Sequence, residues 1–213
     1  MTDDHFQLFL SKLPLTNPGP ACTPNHFDTY GGILPEPLLS YWQEYGFSGF
    51  GDGIVWLTNP IEWRQTTNVL TAGITHRLLG TDATYIPILR TAFGEILFWT
   101  PGYGRSLKLA PAAATASCII QSEPSASDLS LQSTFAMGRS SRYDLQPKGR
   151  TDGVFKEVLG RCGPLEFDQV YHFTPSIIND DDRVNLNTAE IANIHVWLSH
   201  VKQTVGDWST ACI

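Results

Sequence analysis

The residues best able to hold a metal or do covalent chemistry are six histidines and four cysteines, and their spacing argues against both uses. His195 and His200 stand five apart on an expected helix, which turns them about 140° from each other. They cannot share a zinc ion as an i, i+4 pair does, and His5, His26, His76 and His172 are scattered with no H-E-x-x-H pattern. Cys22, Cys118, Cys162 and Cys212 form no C-x-x-C pair, so a zinc ribbon or thioredoxin-type motif is excluded. An even count leaves disulfides open, but a chain of this length builds its core without them, and the thiols are expected to be buried or idle. Gly46-Phe47-Ser48-Gly49 is not the G-x-S-x-G elbow of a serine hydrolase. No spacing selects an acid–base pair from Glu36, Glu44, Asp52, Glu62 and Glu95. The reading is therefore of a protein that is not an enzyme, with no catalytic residue, no metal site and no cofactor.

Two further clusters invite a binding role. The glycines from Gly46 to Gly53 have the composition of a phosphate-cradling loop, but such a loop needs a strand before it and a helix after it. Here a helix precedes and a strand follows, and the lysine is missing, so a structural loop is expected. The run Asn179-Asp180-Asp181-Asp182-Arg183 lacks the alternating ligands, central glycine and terminal glutamate of a calcium loop. It reads either as a solvated turn or as an acidic patch that docks a basic partner.

Charge sharpens the second possibility. The 213 residues carry a net charge of −7, with 16% charged and 42% hydrophobic residues, a composition that packs a core and disfavours binding to a phosphate backbone. Residues 139–161 hold an excess of three positive charges, and residues 162–213 an excess of five negative ones. The candidate partner-binding residues are Asp180, Asp181, Asp182, Glu166 and Asp168. The first residues show no secretory signal, and no run approaches the roughly 18 apolar residues of a membrane span. The expected location is the cytoplasm.

The elements that must position these residues follow from periodicity and punctuation. Phe6, Phe9, Leu10 and Leu13 predict an opening helix, followed by a Pro-, Asn- and Gly-rich loop from Pro14 to Gly32. Leu38, Leu39, Trp42 and Tyr45 lie on one stripe between Pro37 and Gly46, a second helix with proline at its start and glycine past its end. Ile54–Thr58 reads as a strand, and Asn59-Pro60-Ile61-Glu62 as a capping box opening a helix to Thr71 or Leu79. Tyr85–Arg90, Ala92–Thr100, Ser106–Ala110 and Thr115–Gln121 predict a meander of strands. The Ser-rich stretch from Ser122 to Gln132 is a linker or the approach to a helix. Val154, Phe155, Val158 and Leu159 predict a further helix. The last opens at a capping box of Asn187 and Glu190, runs through Ile191, Ile194, Leu198, Val201 and Val205, and ends at Gly206.

Two blocks carry a resemblance. Leu34-Pro35, Leu38-Leu39, Trp42, Tyr45-Gly46-Phe47-Ser48-Gly49-Phe50, Gly53, Trp56 and Asn59-Pro60 are similar to the signature of the GAD-like domain. Arg90-Thr91-Ala92-Phe93-Gly94-Glu95-Ile96-Leu97-Phe98-Trp99 resembles its second block. Phe155, Val158-Leu159-Gly160-Arg161-Cys162-Gly163-Pro164-Leu165, Asp168, Tyr171, Phe173 and Pro175 are similar to the small C-terminal domain that accompanies it. Two-domain proteins of this kind include immunity proteins of bacterial type VI secretion that neutralise DNase effectors. The resemblance thus implies a cytoplasmic antitoxin that binds its toxin and blocks the nuclease site. After Pro175 the family continues with small apolar residues and a Gly-Gly pair, where this chain has Ser176-Ile177-Ile178-Asn179-Asp180-Asp181, a change suited to partner specificity.

The expected fold is α+β: a mainly antiparallel sheet flanked by helices, with a smaller, mostly helical C-terminal domain. Residues 1–110 are assigned to the GAD-like domain, 111–150 to a connecting region and 151–213 to the C-terminal immunity-type domain. The expected partner is a toxin protein with a basic surface, met without direct nucleic-acid or membrane contact. The alternative is a ligand-binding or regulatory module using the Gly46–Gly53 loop or the basic 139–161 stretch.

Overall fold

A computed structural model describes residues 2–121, 126–175 and 184–213. Its helices are α1 (Asp4–Lys12), α2 (Pro24–Tyr30), α3 (Glu36–Tyr45), α4 (Arg64–Thr71), α5 (Asp128–Ala136), α6 (Ser140–Tyr143), α7 (Phe155–Cys162) and α8 (Ile194–Val205). Its strands are β1 (Leu15–Asn17), β2 (Gly49–Phe50), β3 (Val55–Leu57), β4 (Ile86–Thr91), β5 (Ile96–Thr100), β6 (Gly104–Ala110), β7 (Thr115–Cys118), β8 (Gln169–His172), β9 (Glu190–Asn193) and β10 (Ser209–Cys212). Eight strands form one sheet in the order β1-β2-β3-β4-β5-β6-β7-β10, and β8 pairs with β9. Every pairing is antiparallel except β7 with β10. The architecture is α+β, a mainly antiparallel sheet flanked by helices.

The opening helix forms because Asp3 supplies what its first turn lacks. Its carboxylate accepts from the free N–H groups of His5 (2.9 Å) and Phe6 (3.0 Å). Phe6 and Phe9 then meet Phe135 of α5 edge-on at 5.1 and 5.5 Å, and Phe6 stacks on Tyr41 of α3 at 3.9 Å. The Tyr41 hydroxyl donates back to Asp3. One aromatic cluster thus joins α1, α3 and α5 over the first strands of the sheet, in a core that continues into α7 and β8. On β5–β7 a second core packs Trp63 and Leu70 with Ile194, Trp197, Leu198 and Val201 of α8.

The glycine-rich loop has packing reasons for its composition. Gly46 closes α3 with φ of 60°. A Cβ on Gly49 would lie 2.6 Å from the Trp56 ring, so only glycine lets β2 cross that indole.

Four local expectations change. The stretch from Pro14 to Gly32 is not all loop, because β1 pairs with β2 and a short α2 is capped by Thr23 and His26. Asn59 caps a turn over residues 60–63, accepting from Ile61 (3.1 Å) and Glu62 (3.4 Å), and α4 begins only at Arg64. Asn187 and Glu190 do not open the last helix. Glu190–Asn193 is strand β9, bonded to β8, and Asn193 is the cap that starts α8. Periodicity missed this because Ile191 continues the apolar spacing of α8 by one turn, while cross-strand pairing to β8 captures those residues. Finally, β10 returns to the main sheet beyond α8.

Replacing Asp3 by alanine removes a helix cap and the acceptor of a buried tyrosine, an expected loss of about 1–3 kcal/mol at pH 7. Burial pushes this carboxyl up, but hydrogen bonds from Tyr41, Phe6, Gln132 and His5 outweigh it and hold it below its ordinary 3.8. Its contribution is present above that value and is lost as pH falls through the lowered folded-state value. Urea unfolding of wild type and Asp3→Ala across pH 2–7 should show a constant gap that closes at the acid end.

Candidate partner-binding surface

Strand β4 carries one residue of the wrong polarity for its surroundings. All six of its positions are buried, and among Ile86, Pro87, Ile88 and Leu89 stands Arg90, only 1% exposed. A guanidinium in such a place must be held, because an isolated buried charge costs several kcal/mol. Its Cζ lies over the Trp56 ring, 4.7 Å from the centroid, and Trp56 is fixed by its indole N–H donating to Gly53 O at 2.7 Å. Nη2 donates to Phe167 O at 2.7 Å. Nη1 has no hydrogen-bond partner among the described residues. Burial lowers the guanidinium to about 9, opposed through space by the carboxylates of Asp168 and Glu62, so it remains a cation at neutral pH.

The Phe167 carbonyl belongs to the turn that leads into β8, so Arg90 ties the sheet to the second half of the chain. The turn from β4 to β5 makes the same connection. Phe93 points into the rings of Phe155, Tyr171 and Phe173 at 5.9–6.4 Å. Tyr171 N–H donates to Ala92 O at 2.9 Å. Gly94, with φ of 78°, lies where a Cβ would strike the Trp197 ring at 2.4 Å.

The two carboxylates that act on this buried cation, Asp168 and Glu62, belong to an acidic rim linked through Asn193 and the first turn of α8, with Glu166 next to Asp168 on its turn. Asp168, half-buried, accepts from Asn193 Nδ2 at 3.0 Å. Asn193 Oδ1 caps α8, accepting from the N–H groups of His195 (3.1 Å) and Val196 (3.2 Å). The His195 ring contacts Glu62 Oε1 at 3.2 Å through Nε2 and Thr66 Oγ1 at 2.7 Å through Nδ1. Glu166 is exposed on the same turn as Asp168, its N–H donating to Gln169 Oε1 at 2.9 Å. Two apolar residues next to these in the chain are exposed, Phe167 at 39% and Val196 at 69%. Carboxylates beside exposed apolar side chains suit a basic protein partner, for which the charges steer and the apolar groups anchor.

Of the residues singled out from sequence, Glu166 and Asp168 come together here. Asp180, Asp181 and Asp182 lie outside the described residues. Sequence reasoning missed Arg90, Glu62 and His195. A lone arginine inside an apolar strand was the available signal, whereas Glu62 was absorbed into a capping box. His195 and His200 do not converge, and among the described residues no group of three or more His, Cys, Asp or Glu side chains is placed to hold a metal ion. No helix among them is long and apolar enough to cross a membrane.

Apart from this surface, an open cleft of about 580 Å³ lies between the end of α1, the Gly51–Asp52 turn and residues 140–157. Asp144 on its wall is raised by burial, against hydrogen bonds from the Phe155, Val154 and Leu145 N–H groups.

Removing the Arg90 side chain strips the Phe167 carbonyl of its donor and leaves a cavity against Trp56. Arg90→Ala should cost about 3–5 kcal/mol in urea unfolding. Arg90→Lys should recover little of it, since an ammonium reproduces neither the planar contact with Trp56 nor the fork of donors.

Comparison with known proteins agrees with this architecture. No curated protein sequence matches the chain. The crystal structure of Atu4351 from Agrobacterium tumefaciens shares its fold, with a TM-score of 0.78 at 17% identity over 93% of this chain and 88% of that one. A family model, the GAD-like domain, matches residues 4–113. That match spans just over half of the sequence and takes in α1 to β6, including Trp56 and Arg90, and the chain belongs to the GAD-like domain family.

Proposed function

We propose that this protein is an immunity protein, a non-catalytic cytoplasmic antitoxin that neutralises a cognate secreted bacterial toxin by stoichiometric binding. The toxin is a nuclease, in our reading a DNase effector of type VI secretion. The observation that carries the proposal is the acidic rim of Glu62, Glu166 and Asp168, linked through the start of α8, with Phe167 and Val196 exposed beside its members in the chain. A nuclease that grips DNA presents a basic surface. Carboxylates at fixed positions attract that surface over a distance of about a Debye length, near 8 Å at physiological salt. The net charge of −7 acts in the same direction. The resemblance of residues 155–175 to the C-terminal domain of such immunity proteins supports the same reading. Inhibition of this kind needs no cofactor, metal, membrane or direct contact with DNA.

The cleft of about 580 Å³ favours one alternative, a ligand-binding or regulatory module. It joins the Gly51–Asp52 turn to the 139–161 stretch, the two sequence features that suggested such a module. Co-expression separates the readings. The toxin to use is one whose gene neighbours the gene for this chain: cells that express it with this chain should survive, and cells that express it alone should die. Equal killing in both overturns the immunity reading.

The rim itself is tested by binding kinetics with that toxin. Wild-type association should slow as ionic strength rises. Glu62→Gln combined with Glu166→Lys should slow association about tenfold at low salt, with the thermal transition unchanged. A salt-independent association rate would remove the electrostatic basis of the proposal.

A further inference from the structure

The last strand brings two distant cysteines side by side. β10 pairs with β7 in parallel register, and Cys212 stands directly opposite Cys118. Hydrogen bonds on the C-terminal side of the pair pin that register: Ile213 N–H donates to Cys118 O at 3.0 Å, and Ile120 N–H to Ile213 O at 2.7 Å. Both are free thiols. In-register residues on neighbouring strands point to the same face, and the strands lie about 4.7–4.9 Å apart. That separation falls inside the roughly 4.4–6.8 Å between Cα atoms that a disulfide spans. β10 is the outermost strand of the described sheet and is bonded on one side only, so its backbone is free to adjust as the bond closes.

The two thiols differ in access. Cys118 is fully buried in the second core beside Leu107, whereas Cys212 is exposed at the sheet edge. We propose that they form a redox modification site in which Cys212 is the attacking thiol and Cys118 the resolving one, with a low-molecular-weight disulfide such as glutathione disulfide as oxidant. The Cys212 thiolate attacks one sulfur of the oxidant, expels one thiol and becomes a mixed disulfide. Cys118, as thiolate, then attacks the Cys212 sulfur and expels the second thiol. The balance is two protein thiols oxidised to one disulfide and one small disulfide reduced to two thiols. Burial raises the Cys118 thiol above its ordinary value, and the neighbouring Cys212 raises it further. Cys118 is therefore the slower nucleophile at neutral pH, which suits a group that acts second. The bond would tie the strand that follows α8 to the sheet beneath it. Cys22 and Cys162 are paired with no cysteine across the described strands, and their sulfurs meet backbone oxygens: Cys162 Sγ contacts Ala189 O at 3.3 Å, and Cys22 Sγ contacts Thr23 O at 3.8 Å.

The test uses the full chain, reduced, folded and then exposed to glutathione disulfide, followed by alkylation and peptide mapping. The wild type should lose two thiols, gain no glutathione, and yield one cross-linked peptide pair joining Cys118 to Cys212. Its melting temperature should rise by roughly 5–10 °C, because the bond closes a long loop. In Cys118→Ala the reaction should stall with glutathione on Cys212. In Cys212→Ser, Cys118 should stay reduced until the chain is denatured. A wild-type protein that retains glutathione on Cys212, pairs either cysteine elsewhere or forms disulfide-linked dimers overturns the proposal, and this readout needs no variant to fold.

Discussion

A guanidinium sealed inside an apolar strand sets the terms for most of this structure. Arg90 cannot be left without partners at the centre of the protein, and neither of those it finds lies on its own strand. One is the face of Trp56 on β3, which needs Gly49 to let the chain pass and Gly53 to hold its indole N–H. The other is a backbone carbonyl from residue 167, far along the chain. Satisfying the charge therefore fixes the glycine-rich loop on one side and the turn before β8 on the other. Phe93 and Gly94, in the next turn of the same chain segment, press into the same region with rings and close backbone approach.

The acidic rim follows from that anchorage. Asp168 is beside the carbonyl that Arg90 holds, Asn193 binds Asp168 while capping α8, and His195 in the first turn of that helix reaches Glu62. The surface proposed to meet a toxin is thus assembled from three distant chain segments and is rigid only while they are held together. Preorganised charge of this sort speeds encounter without an ordering cost at binding.

Much of the architecture was legible in the residues. α1, α3 and the antiparallel run from β4 to β7 follow from apolar spacing and from glycine and proline punctuation, because their local preference and their tertiary role agree. What was not legible depends on pairing between distant segments. β9 carries an apolar residue in phase with α8, and only the presence of β8 makes it a strand. β1, α2 and β10 are short and polar, with no periodicity to betray them. The site divides in the same way. Glu166 and Asp168 emerged from a local excess of negative charge, whereas Glu62 and His195 gain meaning only from a contact spanning 133 positions.

The central claim is that the sheet and the second half of the chain form one cooperative unit, closed over Arg90. Native-state hydrogen exchange tests it at a single amide, that of Tyr171, which donates to Ala92 O across the junction. The account predicts that this amide and those of β4 exchange through a common opening, with matching free energies and matching dependence on denaturant. Exchange of the Tyr171 amide through a much smaller, denaturant-independent opening, with β4 still fully protected, would contradict it.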